Sequence, residues 1–213
     1  MKLTEILLTV TLVLLMGCGG KTPEPSTNLP KSDPTPSEPK VEPATAKPSL
    51  LHANDKTKLE SIKKLAVSMG DATMNGDHTF VIDHTYDNVV KGMGGRAKAI
   101  SVLEGGMKPM LDKGVKITSY NVSDPEMIVT GGDSQYTVVP TSIEMTFPQF
   151  KIRVKSYLLG ISEDSGKSWK FIDGSSMEKP ESRKLFLPDL PADLKLPPKQ
   201  QPEMIQNKKR VAE

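Results

Sequence analysis

An α+β domain is the fold class this sequence predicts, on three observations. Apolar residues recur every three or four positions between Asp55 and Lys113, as in helices that pack through one face. After Gly114 the period changes to two, as in strands, and holds to Ile172. Proline, 18 of the 213 residues, punctuates both flanks, so one modest domain sits between segments that cannot form a core. Helices followed by strands predict three helices laid on one curved face of a bulged antiparallel meander of about four strands, with an extended Pro-rich C-terminal arm. The chain accordingly divides into residues 1–17, an export signal; 18–49, a disordered tether; 50–174, the folded domain; 175–198, a Pro/Leu arm packed on it; and 199–213, a disordered tail.

At the N-terminus Lys2 precedes an apolar run from Ile6 to Met16, which ends in Gly17, Cys18, Gly19 and Gly20. The run is too short for a bilayer core of about 30 Å, which takes roughly 20 helical residues, so it reads as a cleavable export signal. Leu15-Met16-Gly17-Cys18 resembles the lipobox of bacterial lipoproteins. That resemblance implies a diacylglyceryl group on the Cys18 sulfur, Cys18 as the mature N-terminus, and acyl chains such as palmitate as the membrane anchor. It also implies a place in the cell envelope, on the periplasmic face of an outer membrane or at the cell surface. Cys18 is the only cysteine, so no internal disulfide competes for it. Two or three acyl chains suffice for stable anchoring.

From Lys21 to Pro48 the chain is Pro, Ser, Thr, Lys and Glu with almost no large apolar residue, and cannot bury enough surface to offset its ordering entropy. Its prolines bias it toward polyproline II, a spacer reaching up to about 3 Å per residue. The net charge is only +2 with the signs interspersed, which offers nucleic acid no basic field.

In the folded part, Leu59, Ile62, Ala66, Met69 and Thr73 mark one face of a first helix, with Asn54 or Asp55 as its cap and Gly76 as its stop. Asp77 to Met93 carries two short apolar groups, Phe80 to Ile82 and Val89-Val90, which predict two short helical turns. Beyond the Gly94-Gly95 break, Ile100, Leu103, Met107 and Leu111 restore a helix that Gly105, Gly106 and Pro109 weaken. Strands follow over Val115 to Val122, Glu126 to Thr130, Gln135 to Phe147, Phe150 to Ser162, and Trp169 to Ile172. In the third of these the apolar parity changes at Pro140, which predicts a bulge there. From Tyr157 to Ile161 both faces are apolar, as in a strand covered on both sides. After Gly174, Leu185, Phe186, Leu187, Leu190, Leu194 and Leu196 between prolines predict an arm laid along the domain; left uncovered, it would be an apolar patch awaiting a partner.

A long helix ending in Gly76-Asp77, a short helical segment with Tyr86-Asp87 before Val89-Val90, a Gly-Gly break, a further helix and a bulged meander resemble the nuclear transport factor 2-like superfamily. The resemblance covers about Leu51 to Gly174 and implies a cone-shaped α+β fold with a cavity between sheet and helices. Isomerases, dehydratases and non-catalytic binding modules share that fold, so it carries no function by itself. Ser162-Glu163-Asp164-Ser165-Gly166-Lys167-Ser168-Trp169 is similar to the Asp-box of sialidase propeller blades. A single copy in this length excludes a propeller. Ser162, Asp164, Gly166 and Trp169 therefore read as a structural hairpin turn.

Candidates for chemistry cluster at Asp83, His84, Tyr86 and Asp87, where a His-Asp pair is able to move a proton beside a carbonyl if burial tunes it. Neighbours on a helix diverge, so at most two of these face one cavity, and the reading that Asp87 caps a turn while His84 packs is the stronger. The three histidines, His52, His78 and His84, form no H-x-x-x-H pair, and no metal site is expected. No phosphate loop, dinucleotide fingerprint or serine elbow occurs, so no cofactor is expected. Tyr136 and Phe147 are candidate lining residues of a pocket for a small apolar ligand. The expected function is thus a lipid-anchored binding or accessory domain without catalysis. The alternatives are an isomerase, dehydratase or hydrolase using His84 with an Asp, and a docking protein that meets a protein partner or a second copy of itself.

Overall fold

The structure, a computed structural model, describes residues 53–205. The signal segment, Cys18, the tether and residues 206–213 lie outside the described residues. Four helices come first: α1 (Ala53–Asn75), α2 (His78–Asp83), α3 (Asp87–Gly92) and α4 (Arg96–Asp112). Gly76 ends α1 in the left-handed region at φ 72°, which a Cβ would disfavour. Asp77 then caps α2, its carboxylate accepting the Phe80 N–H at 3.0 Å. Within α4, Pro109 and Gly105 both lie on the exposed side, so the carbonyl that Pro109 deprives of a donor is open to water.

The strands are β1 (Lys116–Val122), β2 (Ile128–Gly131), β3 (Ser134–Thr146), β4 (Lys151–Ser162), β5 (Lys170–Asp173) and β6 (Glu203–Ile205). They form one curled antiparallel sheet ordered β1-β3-β4-β5, with β2 added to β3 and β6 to β4. β3 and β4 are its spine, in register from Gln135 opposite Ser162 to Thr146 opposite Lys151. Two short strands share each outer edge, β2 and β1 along β3, β5 and β6 along β4. Helices followed by this curled sheet make the chain α+β, an arrangement compatible with a cone.

Pro140 is not a bulge. Its register with Tyr157 is unbroken, and the irregularity lies in β1, between Ile117 and Ser119. The Pro140 carbonyl accepts the Ser123 N–H at 2.9 Å, so the missing donor faces the outer edge, where the chain passes between β1 and β2, and no β3–β4 bond is lost. The change of parity has another cause, which the two faces of the sheet explain.

On the helix-side face, Val139, Leu158, Trp169 and Phe171 pack with Ile62, Ala66 and Met69 of α1. Further along that face Met145, Ile152, Phe147 and Val115 form a second cluster with Met110 of α4. The opposite face carries Tyr136, Tyr157, Leu159, Ile161 and Ile172, covered by Tyr86, Met177, Phe186, Leu187 and Leu194. That cover stops halfway along β3, and beyond it Ser142 and Glu144 share the face with Arg153, which donates to Glu144 at 2.6 Å. Half of β3 is thus buried on both faces and half on one, which shifts the apolar parity without an inserted residue.

The chain beyond β5 is more ordered in its elements than an extended arm. A 3-10 turn (Gly174–Met177) and helix α5 (Pro180–Phe186) precede the Leu/Pro stretch. Pro180 starts α5, where a missing N–H costs nothing, and Arg183 and Lys184 sit in its last turn. The polar end from Lys199, read from sequence as a disordered tail, instead supplies β6: the edge of β4 beyond β5 is open, and Lys155 fixes Glu203 at 2.6 Å.

Candidate functional site

A cleft of about 600 Å³ opens between the helices and the chain that follows β5. One wall is Val81, Ile82 and Thr85 of α2 and its end, Val89 and Met93 of α3 and its end, and Ala99, Val102 and Leu103 of α4. The other is Ile172, Asp173, Ser175, Ser176 and the α5 residues Ser182, Leu185 and Phe186. Periodicity explains the first wall, because Ala99, Val102 and Leu103 fall on one stripe of α4. Gly92 admits the second, since a Cβ there would meet the Phe186 ring at 3.1 Å. Lys179 and Glu181, both exposed, stand at the mouth with opposite charges.

Asp173 is the acid in the recess. The register with Leu158 turns it to the helix side, while its neighbour Ile172 packs on the other face. One carboxylate oxygen, Oδ1, accepts the Ser175 N–H at 2.9 Å and the Ser175 hydroxyl, which caps the 3-10 turn. Among the described residues, no donor reaches Oδ2 and no Lys, Arg or His pairs with the carboxylate. Burial pushes the carboxyl above its ordinary value and Glu178 adds to the push, against the two bonds from Ser175. What exposure it keeps is to the cleft.

The residues singled out by sequence lie elsewhere. Asp83 is held by Arg96 through two bonds, 2.6 and 2.9 Å, on the exposed side, and that pair lowers its carboxyl below the usual value. Asp87 pairs with Lys170 at 3.1 Å, and the same ammonium donates to the Asp83 carbonyl at 2.8 Å. The His84 ring stacks on Phe80 with 4.0 Å between centroids, its Nδ1 lying 2.9 Å from the Phe80 carbonyl oxygen. Tyr86 is buried, donates its hydroxyl to Glu163 at 2.7 Å, and has that hydroxyl raised first by its own burial. His84 and Tyr86 are drawn apart by the backbone between them, which pairs with Phe171. None of these four lines the cleft, and neither do Tyr136, in the core opposite the helices, or Phe147, stacked on Phe150 at 4.5 Å.

The hairpin turn is built by its own side chains. Asp164 Oδ1 accepts the N–H groups of Lys167 and Ser168, at 3.0 and 2.9 Å, and the Ser162 hydroxyl at 2.7 Å. The Ser168 hydroxyl donates to Oδ2 at 2.6 Å, and this set of donors holds the carboxyl well below its usual value. Ser165 and Gly166 turn through positive φ, 64° and 87°, and Trp169 enters the helix-side core beside α1.

No His, Cys, Asp or Glu group among the described residues is arranged to hold a metal, and no described helix is long and apolar enough to cross a membrane. Asp173 escaped the sequence reading because an acid after Phe171-Ile172 looks like the polar end of a strand. Its signal was the apolar pair just before it and Gly174 just after, where a Cβ would strike the Tyr157 ring at 2.6 Å. No protein-family model matches the chain, and no curated protein matches it.

Proposed function

We propose that this chain is a lipid-anchored cell-envelope protein whose folded part, a nuclear transport factor 2-like cone, holds a small apolar molecule without transforming it. The cleft carries the reading: its size suits a ligand of drug-like dimensions, its walls are mainly aliphatic, and a few polar groups converge at one end. The catalytic alternative draws no support from His84, Asp83 and Asp87, whose side chains are engaged with other partners and do not converge. Cys18 supplies the anchor and residues 18–49 the reach to hold the domain off the membrane.

The binding claim is tested with the neutral fluorophore N-phenyl-1-naphthylamine, titrated into the full chain carrying Cys18→Ser so that no acyl chain competes. Saturable enhancement is expected, and Val102→Trp, which fills the cleft from α4, should weaken it at least tenfold with an unchanged Tm. Enhancement that Val102→Trp leaves intact would remove the cleft from the account. For the anchor, incorporation of a labelled lipid precursor is expected in the wild type and lost in Cys18→Ser; equal labelling of the two contradicts it.

A further inference from the structure

Asp173 narrows the chemistry of the ligand, resting on the cleft as the binding site. A half-buried carboxylate is stabilised in a fold by a cation, by hydrogen bonds or by the water that still reaches it. Here the fold's own groups do so only in part. Oδ1 is occupied by Ser175, Oδ2 accepts nothing among the described residues, and no basic side chain is paired with the group. The surrounding elements add neutral phenols and charges already paired: Tyr120 of β1 lies on the same helix-side face, Tyr157 of β4 is next to Gly174 with Arg183 nearby, and Glu178, which follows the 3-10 turn, is bound by Lys199 at 2.9 Å. At the mouth, Lys179 and Glu181 offset each other. The cleft therefore ends at one carboxylate without a basic partner among the described residues, whose open oxygen suits a donor with positive charge, while the rest of its wall accepts hydrocarbon.

We propose that the ligand is an organic cation with an apolar body, a primary amine or its close relative, seated with the hydrocarbon against Val81, Val89, Val102 and Leu103 and the ammonium on Asp173 Oδ2. The charge-assisted bond forms at the half-buried end of the cleft, so the head selects the ligand and the hydrocarbon supplies most of the affinity. Binding is reversible and no bond of the ligand breaks.

The test uses three compounds that differ only in the head: 4-phenylbutylamine, 4-phenylbutanol and 5-phenylpentanoate, titrated calorimetrically into the full chain carrying Cys18→Ser at neutral pH. The amine is expected to bind at least tenfold more tightly than the alcohol, and the carboxylate more weakly than either. Asp173→Asn, which keeps an oxygen for Ser175 and so keeps the cap, should bring the amine down to the affinity of the alcohol and leave the alcohol unchanged. Asp133→Asn, on the exposed β2–β3 turn, should change nothing. Equal binding of amine and alcohol by the wild type, or an amine preference that survives Asp173→Asn, overturns the cationic assignment and leaves the cleft reading standing. Failure of all three to bind overturns both. The comparison of amine with alcohol needs no variant, so it decides the matter even if Asp173→Asn does not fold.

Discussion

Asp173 and Thr137 stand on the helix-side face of the sheet, the first half-buried with one oxygen open to the cleft, the second buried with a hydroxyl that its surroundings do not satisfy. Thr137 is fully buried opposite Gly160, and its hydroxyl has no hydrogen-bond partner among the described residues. An orphaned buried hydroxyl costs more than an apolar group of the same shape, so Thr137→Val is expected to stabilise the domain by about 1 kcal/mol, or about 2–4 °C in Tm. A lower Tm would mean that the hydroxyl has a partner after all. Asp173 has a pH signature of definite sign. In the unfolded chain an Asp titrates near 3.9. Between that pH and the raised folded value the native state keeps a proton that the unfolded state has released, so stability from this group falls as pH rises. Asp173→Asn removes the effect, and the Tm of the variant minus that of the wild type should become more positive from pH 4 to pH 8; a flat difference contradicts the raised value. Asp164 has the opposite sign, its contribution being present above the ordinary carboxylate range and lost as pH falls through its lowered value.

At the scale of elements, what could be read from sequence depended on whether one face or two decided the pattern. α1 buries the stripe its period marks, at Ile62, Ala66 and Met69. In α4 the buried residue is Ala99, one position before Ile100; of the marked residues Ile100, Leu103 and Met107 are only half-buried and Leu111 is exposed, because this short face meets the cleft and the sheet edge rather than a full core. β3 buries different faces along its two halves, so Pro140 looked like a parity break although its register with β4 is continuous. α5 was hidden because its Leu185 and Phe186 belong to a run of leucines and prolines that reads as extended, yet Pro180, Glu181 and Arg183 already spelled a helix start and finish. The stretch after α5 packs by approach as well as by leucines. A Cβ on Gly131 would strike the Pro191 ring and come within 2.8 Å of the Asp189 carbonyl oxygen. Gly131→Ala is therefore expected to cost about 1–3 kcal/mol and to open residues 187–202 to proteolysis before the rest of the domain unfolds. Unchanged stability and protease resistance would show that this segment does not lie against the β2–β3 turn.

For the whole molecule, the arrangement separates support from site. The sheet spine is covered by helices on one face and by the returning C-terminal chain on the other, and the cleft lies where these two covers meet beyond the end of β5. Sequence could supply α1 to α4, β1 to β5 and the hairpin turn because each obeys a local period or a local set of hydrogen bonds, whereas α5 and β6 depend on the surface they dock against. It could not supply the cleft, which is made by residues from Val81 to Phe186 that only the curl of the sheet brings together. The same distance along the chain explains why the cluster at residues 83–87 drew attention: consecutive polar residues are conspicuous in text, whereas here they face outward, pair with Arg96 and Lys170, or enter the opposite core. The most direct test is to record methyl resonances of the full chain carrying Cys18→Ser while N-phenyl-1-naphthylamine is added. Saturable shifts are predicted at Val81, Val89, Val102, Leu103 and Leu185. Shifts centred instead on Leu187, Leu194 and Leu196, or none at saturating ligand, would contradict the assignment of the cleft as the binding site.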